Sequence, residues 1–327
     1  MAWGSLVGFA LVAISVSFGA SLLLIGLNAL ASGWLRRRGF LAVRRAAALA
    51  LALPPVFGVG FASLIAAEKG FAWMNGADHC LVHAHHLHLC PVHGAAWAGV
   101  PWAVAVVGVV VVHLSMRTVR VAWAHVSAHS AVRTLKRTGE ILGGAPVEAF
   151  LVPSDACFAF TVGLMRPAVI VSTGAWAALG EQERLALLAH ESEHVARSDI
   201  RKRALLSVLT AVGLPGLADA TLTRWSRATE HASDAAAARA VGCPSVVASA
   251  LVKLASSRSP STRFPAKACA ADADVEARVL ALLAAKPEPG VGLATLTSLS
   301  LALTCLVLLA TGFGAGTLHH AFETILG

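Results

Sequence analysis

The stretch LLAHESEHVARSD, residues 187–199, sets two histidines four positions apart, with a glutamate directly after the first. On a helix, His190 and His194 share one face, one turn apart. Two imidazole nitrogens so placed can reach one Zn²⁺ at about 2.0–2.1 Å. Glu191 lies about 100° round the helix, beside such an ion rather than on it. A carboxylate there can act as general base toward water. In a chain of 327 residues with 14 histidines and 11 glutamates, H-E-x-x-H arises by chance about 2% of the time. The competing reading is a charged helix face, with Glu191 and Glu193 flanked by Arg184 and Arg197.

A catalytic zinc takes three protein ligands and keeps one position open. Downstream, RWSRATEHASDAAAARAV (224–241) reads as an alanine-rich helix. Glu230 and Asp234 lie one turn apart on one of its faces. Glu230 can be the third ligand. Asp234 can accept a hydrogen bond from the free ring N–H of a ligand histidine. His231, next to Glu230, is a further candidate as ligand or oxyanion donor.

These residues need elements to hold them. The motif helix is expected to start near Gly180, with Glu181 and Glu183 in its first turn, where negative charge suits the helix dipole. Before it, Val147–Val152, Cys157–Val162 and Ala168–Ser172 read as short strands. Either of the last two could be an edge strand that pairs with an extended substrate, or an internal one. Arg117–Thr138 reads as a helix ended by Gly139. Residues 204–218 are apolar but interrupted by Gly213 and Pro215. They suit a buried or membrane-touching helix better than a fifth span. Residues 255–274 read as a surface loop.

The composition then sets the surroundings. Hydrophobic residues are 57% of the chain and charged residues 13%, about half the usual charged share of a soluble domain. Four apolar runs, 3–35, 46–67, 95–116 and 291–316, are long enough to span a bilayer. The second contains Pro54 and Pro55, which a helix bundle tolerates. The first lacks the basic start and small-residue cleavage site of a signal peptide. The net charge of +8 comes from arginines clustered at the ends of these runs, which argues against nucleic acid as a partner and for basic cytoplasmic loops. Arg36, Arg37, Arg38, Arg44 and Arg45 follow the first run, and Arg117, Arg120, Arg133, Lys136 and Arg137 follow the third. Residues 68–94 hold Glu68, Lys69 and Asp78 but no arginine.

The expected protein is mostly α and membrane-bound. It has a three-span unit (1–116), a cytoplasmic α+β zincin-type domain with a small sheet (117–290), and a fourth transmembrane helix with a short tail (291–327). Both termini and the 68–94 loop are expected outside the cell membrane.

The stretch CFAFTVGLMRPAVIVSTGAW, then EQERLALLAHESEHVARSDIRKR, then RATEHASDAA resembles the BlaR/MecR-type integral-membrane metallopeptidases, gluzincins with three spans before a cytoplasmic zinc domain and one after it. The resemblance is close over about 157–240. It implies His190, His194 and Glu230 as Zn²⁺ ligands and Glu191 as catalytic base. It matches Asp199 to an acid of the family pattern, read here as structural. It implies peptide-bond hydrolysis, with a cytoplasmic transcriptional repressor as a protein substrate. The resemblance stops at the C-terminus: the sequence ends at Gly327 and has no S-x-x-K signature, so β-lactam sensing is not expected. HtpX-type quality-control and CAAX-prenyl-protease-type enzymes share the zinc logic, but three spans before the motif fit BlaR/MecR better. A metal-sensing scaffold with a structural site would have no use for Glu191.

The loop DHCLVHAHHLHLCPVH (78–93) carries six histidines and two cysteines. Outside the cell, Cys80 and Cys90 could pair as a disulfide. The loop is then either a stapled segment with solvated histidines or an external metal or pH sensor built on His83, His85, His86 and His88.

Overall fold

A computed structural model describes residues 2–74, 101–257 and 275–284. The 78–93 loop, most of the 255–274 loop and the 291–316 run therefore lie outside the described residues.

Two long apolar helices open the chain. Helix α1 (Ala2–Leu30) is followed by a short α2 (Ser32–Arg37) and by α3 (Phe40–Met74), which runs unbroken through Pro54 and Pro55. Gly58 is where α1 and α3 close on each other. A Cβ there would collide with Ser17 Oγ and the Ala13 carbonyl, so glycine allows the backbone approach common between membrane helices. Helix α4 (Pro101–Thr138) joins residues 101–116 of the expected third run and the expected Arg117–Thr138 helix into one element. No glycine or proline interrupts the join from residue 109 to residue 138. Among the described residues, three segments, Leu6–Leu30, Phe40–Ala67 and Val104–Thr138, are long and apolar enough to cross a membrane.

The sheet follows. β1 (Glu140–Ile141), β2 (Ala149–Val152), β3 (Ala159–Val162) and β4 (Ala168–Ser172) lie in the order β1-β2-β4-β3. β2 and β4 are parallel, and the two outer pairings are antiparallel. Ala168–Ser172 is thus internal, and β3 forms an edge of the sheet. All five residues of β4 are buried, as a strand covered on both faces requires. Val169 and Val171 pack with Leu187 and Leu188, whereas Ala168 and Ile170 pack with Val132 of α4.

Ser172 caps the short helix α5 (Thr173–Ala178) by accepting from Ala175 N. The motif helix α6 (Glu181–Ala196) begins at the expected place, with Gly180 as N-cap. Glu183 does more than face the dipole. It accepts from Gly180 N at 2.7 Å, from Ser249 Oγ at 2.6 Å and from Lys253 Nζ at 2.7 Å. Burial works against its charge, but these partners outweigh it and hold its carboxyl below the usual range. The last two donors come from α9 (Pro244–Ser256).

Helix α7 (Asp199–Leu209) and a 3₁₀ turn (Thr210–Val212) lead to α8 (Leu217–Val241). The apolar 204–218 stretch is therefore a corner rather than a span. Gly213 packs there against Ser21 of α1. The alanine-rich helix starts seven residues earlier than the sequence suggested. Its added first turn carries Asp219, which takes two hydrogen bonds from Arg117 of α4, each 2.9 Å. Ile25, Ala47, Ala50 and Leu51 of α1 and α3 share a buried cluster with Ala218 and Trp225 of α8. The helix that carries Glu230 is thus seated on the apolar helices. Helix α10 (Val275–Leu283) packs on α8 and α9.

Candidate metal centre

His190 and His194 project from one face of α6, as their spacing requires. Their Nε2 atoms lie 3.2 Å apart. Glu230 of α8 closes the group, with Oε2 at 3.5 Å from His190 Nε2 and Oε1 at 3.8 Å from His194 Nε2. These three ligand atoms all fall within 4.8 Å of one another.

Each histidine is held from behind by a carboxylate. His190 Nδ1 lies 3.0 Å from Asp234 Oδ1, and His194 Nδ1 lies 3.0 Å from Asp199 Oδ2. A carboxylate accepts, so each Nδ1 donates, and Nε2 is left as the nitrogen of each ring that can bind a metal. Asp199, expected to be structural, touches a histidine of the motif directly. Ser198 makes this contact possible. Its left-handed backbone (φ 56°) turns the chain sharply after α6 and brings residue 199 back onto residue 194.

Behind the two aspartates stand two arginines. Arg278 of α10 donates to Asp234 through Nε (2.7 Å) and Nη2 (2.6 Å), and its Nη1 lies 3.3 Å from Glu230 Oε2. Arg44 of α3 donates through Nη2 to Asp199 Oδ1. Sequence reasoning passed over Arg278, because a single arginine in an amphipathic helix carries no local signal. It counted Arg44 as a loop cation, yet Arg44 is only 8% exposed.

The electrostatics follow. Burial presses His190 toward its neutral form, but its hydrogen bonds to Asp234 and Glu230 win and lift it to about 9. Burial likewise disfavours the Asp234 charge, yet Arg278 and His190 hold that carboxyl down at about 2.

Glu191 is not one of the three converging groups and is 2% exposed. Thr161 of edge strand β3 donates to its Oε2 at 2.6 Å. A cleft opens here. His190, Glu191 and Glu230 share its lining with an apolar wall that includes Phe158, Leu187, Leu251 and Leu254. His231 lies outside the converging group. Its ring stacks on Phe40 of α3, with centroids 4.1 Å apart.

A strand edge, a helix bearing H-E-x-x-H and a second helix bearing E-x-x-x-D, joined at one cleft, are the arrangement of a metallopeptidase. The profile of peptidase family M48 matches residues 128–300, just over half of the chain, and the chain belongs to that family. No curated protein and no solved structure matches it. The matching family is M48; the match does not bear on the resemblance to BlaR/MecR-type enzymes.

Family membership implies a metal, and the donor set fits one. The two imidazole Nε2 atoms, whose rings are held at Nδ1 by the aspartates, and a carboxylate oxygen converge on one point. Such a group repels itself unless a cation, either a proton or a metal, lies between. The edge of a tetrahedron drawn round zinc is about 3.3 Å for bonds of about 2.0–2.1 Å. The observed separations of 3.2, 3.5 and 3.8 Å lie close to it.

Proposed function

We propose that this protein is a membrane-embedded zinc metalloendopeptidase. His190, His194 and Glu230 hold the ion, and Glu191 is the general base. The observation that carries the reading is the convergence of three ligand atoms beside a buried glutamate at the wall of a cleft.

When bound, the ion supplies Lewis acidity toward a carbonyl oxygen and makes a water easier to deprotonate. The protein's own groups do the rest. Glu191 takes the proton of the attacking water and passes it to the leaving amine nitrogen. Thr161 donates to Oε2 of the Glu191 carboxylate and so orients it. β3, the edge strand among the described residues, borders the cleft through Ala159 and can pair with an extended substrate backbone. The apolar wall suits a hydrophobic side chain beside the scissile bond. Asp234 and Asp199 keep the ligand rings in the tautomer that binds metal.

Three apolar segments support a multi-pass membrane location. Arg36, Arg37 and Arg38, between the first two of them, support a cytoplasmic peptidase domain. Arg44, buried at the site, no longer counts toward that bias. The substrate is a cytoplasmic or membrane-proximal protein. Cleavage of a transcriptional repressor and trimming of damaged membrane proteins would use the same geometry.

The test is proteolysis by the detergent-purified chain. Self-processing and casein cleavage are followed for wild type, Glu191→Ala and chelator-treated wild type. Cleavage lost in both controls is the expected result. Casein cleavage that survives both would overturn the reading. Comparing membrane and cytoplasmic proteins in cells carrying wild type or Glu191→Ala then separates the two substrate classes.

A further inference from the structure

We propose that Arg44 is a positioning residue for the metal centre: acting through Asp199, it orients the His194 ring, so that helix α3 of the apolar bundle sets part of the site's metal affinity. The proposal rests on the reading of His194 as a metal ligand.

Arg44 is a long way from the motif in sequence, 155 residues before Asp199. Its side chain is nevertheless enclosed by the two structures that supply ligands. Nη2 donates to Asp199 Oδ1, while the other oxygen, Oδ2, holds His194 Nδ1. Nε donates at 3.0 Å to Thr229 Oγ1, next to Glu230 on α8. The guanidinium lies 5.6 Å over the ring of Trp225, one turn earlier on that helix. One rigid, forked cation thus fixes the carboxylate behind one ligand and the side-chain hydroxyl of the residue beside another. Burying an arginine is costly unless its partners are in place. The contact therefore exists only when α3, the turn after α6 and α8 are correctly docked. Arg278 braces the other histidine in the same way, but from α10. Arg44 differs in standing at the start of a segment able to cross a membrane. A shift of α3 along or about its axis would be felt at His194 through two hydrogen bonds.

A purely structural Arg44 would glue α3 to α8 and leave the metal alone. Zinc affinity separates the two. The full chain in detergent is titrated against a chromophoric chelator as wild type, Arg44→Gln, Asp199→Asn and the double variant. Arg45→Gln, one residue along α3, serves as control. The expected result is affinity about tenfold weaker for Arg44→Gln, the lower end of what outer partners of a metal-binding histidine contribute. The double variant should be no weaker than Asp199→Asn alone, and Arg45→Gln should match wild type. Arg44→Gln within about twofold of wild type would overturn the proposal, as would losses that multiply in the double variant. Should Arg44→Gln fail to fold, Arg44→Lys carries the test with Co²⁺ in the site. A lysine cannot hold Asp199 and Thr229 together, so the visible absorption bands should move and metal loss should quicken. Unchanged bands and an unchanged loss rate would overturn the proposal. Wild type that binds no zinc would overturn the ligand assignment as well, whereas tight wild-type binding with no Arg44 effect would sink this inference alone.

Discussion

The Nε2 atoms of His190 and His194 face each other across 3.2 Å, and each ring is backed by its own aspartate. The arrangement assigns different tasks to neighbouring residues. His190→Ala, His194→Ala and Glu230→Ala should each lose stoichiometric zinc, measured by elemental analysis after gel filtration. Glu191→Gln should keep the zinc and lose about 10²–10⁴-fold in turnover, the range of a general base. A Glu191→Gln protein with near-normal cleavage would remove Glu191 from the mechanism.

The metal-free site holds a proton where the metal belongs. His190 is lifted to about 9, so at pH 7 it is charged and must give up its proton on binding. Zinc binding at pH 7 should release about one proton from this residue, read from calorimetry in buffers of different ionisation enthalpy. Apparent affinity should rise with pH up to about 9 and then level as that competition ends. The same shift stabilises the metal-free fold. Because the folded value lies above the unfolded one of about 6.5, the contribution is complete below that pH. It should fade as pH rises through about 9. A metal-free melting temperature that stays flat across that window would contradict the assignment.

Asp234 is 1% exposed and depends on Arg278 for its charge. Arg278→Met should therefore destabilise the metal-free protein by about 3–5 kcal/mol, the usual cost of leaving half of a buried ion pair. Thermal unfolding in detergent measures it. Arg278→Lys keeps the charge but loses the two-pronged grip, and should fall between Arg278→Met and wild type.

Gly58 lets α1 and α3 touch. Gly58→Val places a branched side chain against Ser17 and the Ala13 carbonyl. A loss of about 1–3 kcal/mol is expected from overpacking, seen as earlier unfolding. Zinc affinity should fall too, because α3 also carries Arg44. A Gly58→Val protein with wild-type unfolding would mean that the two helices separate at little cost.

Much of the site was legible in the sequence because helices encode their own neighbours. A spacing of four puts His190 beside His194 and Glu230 beside Asp234 with no knowledge of the fold. Long uncharged runs announce apolar helices for an equally local reason: side chains alone set their preference for lipid over water. The start of α6 at Gly180 and the three strands could be read in the same way, to within a few residues.

What the sequence could not supply is any pairing between elements. Which aspartate faces which histidine, which strand forms the edge, and that Thr161 of β3 reaches Glu191 all follow from how the sheet and helices dock. Nor could it show that Arg44, one of five arginines in a basic stretch, leaves the others to stand behind Asp199. Charge and spacing along a chain are local properties. A buried hydrogen bond between residues 155 apart exists only once packing has excluded water from both of them. The sequence alone determined which residues could hold a metal. The tertiary structure decided which residues hold those ligands in place.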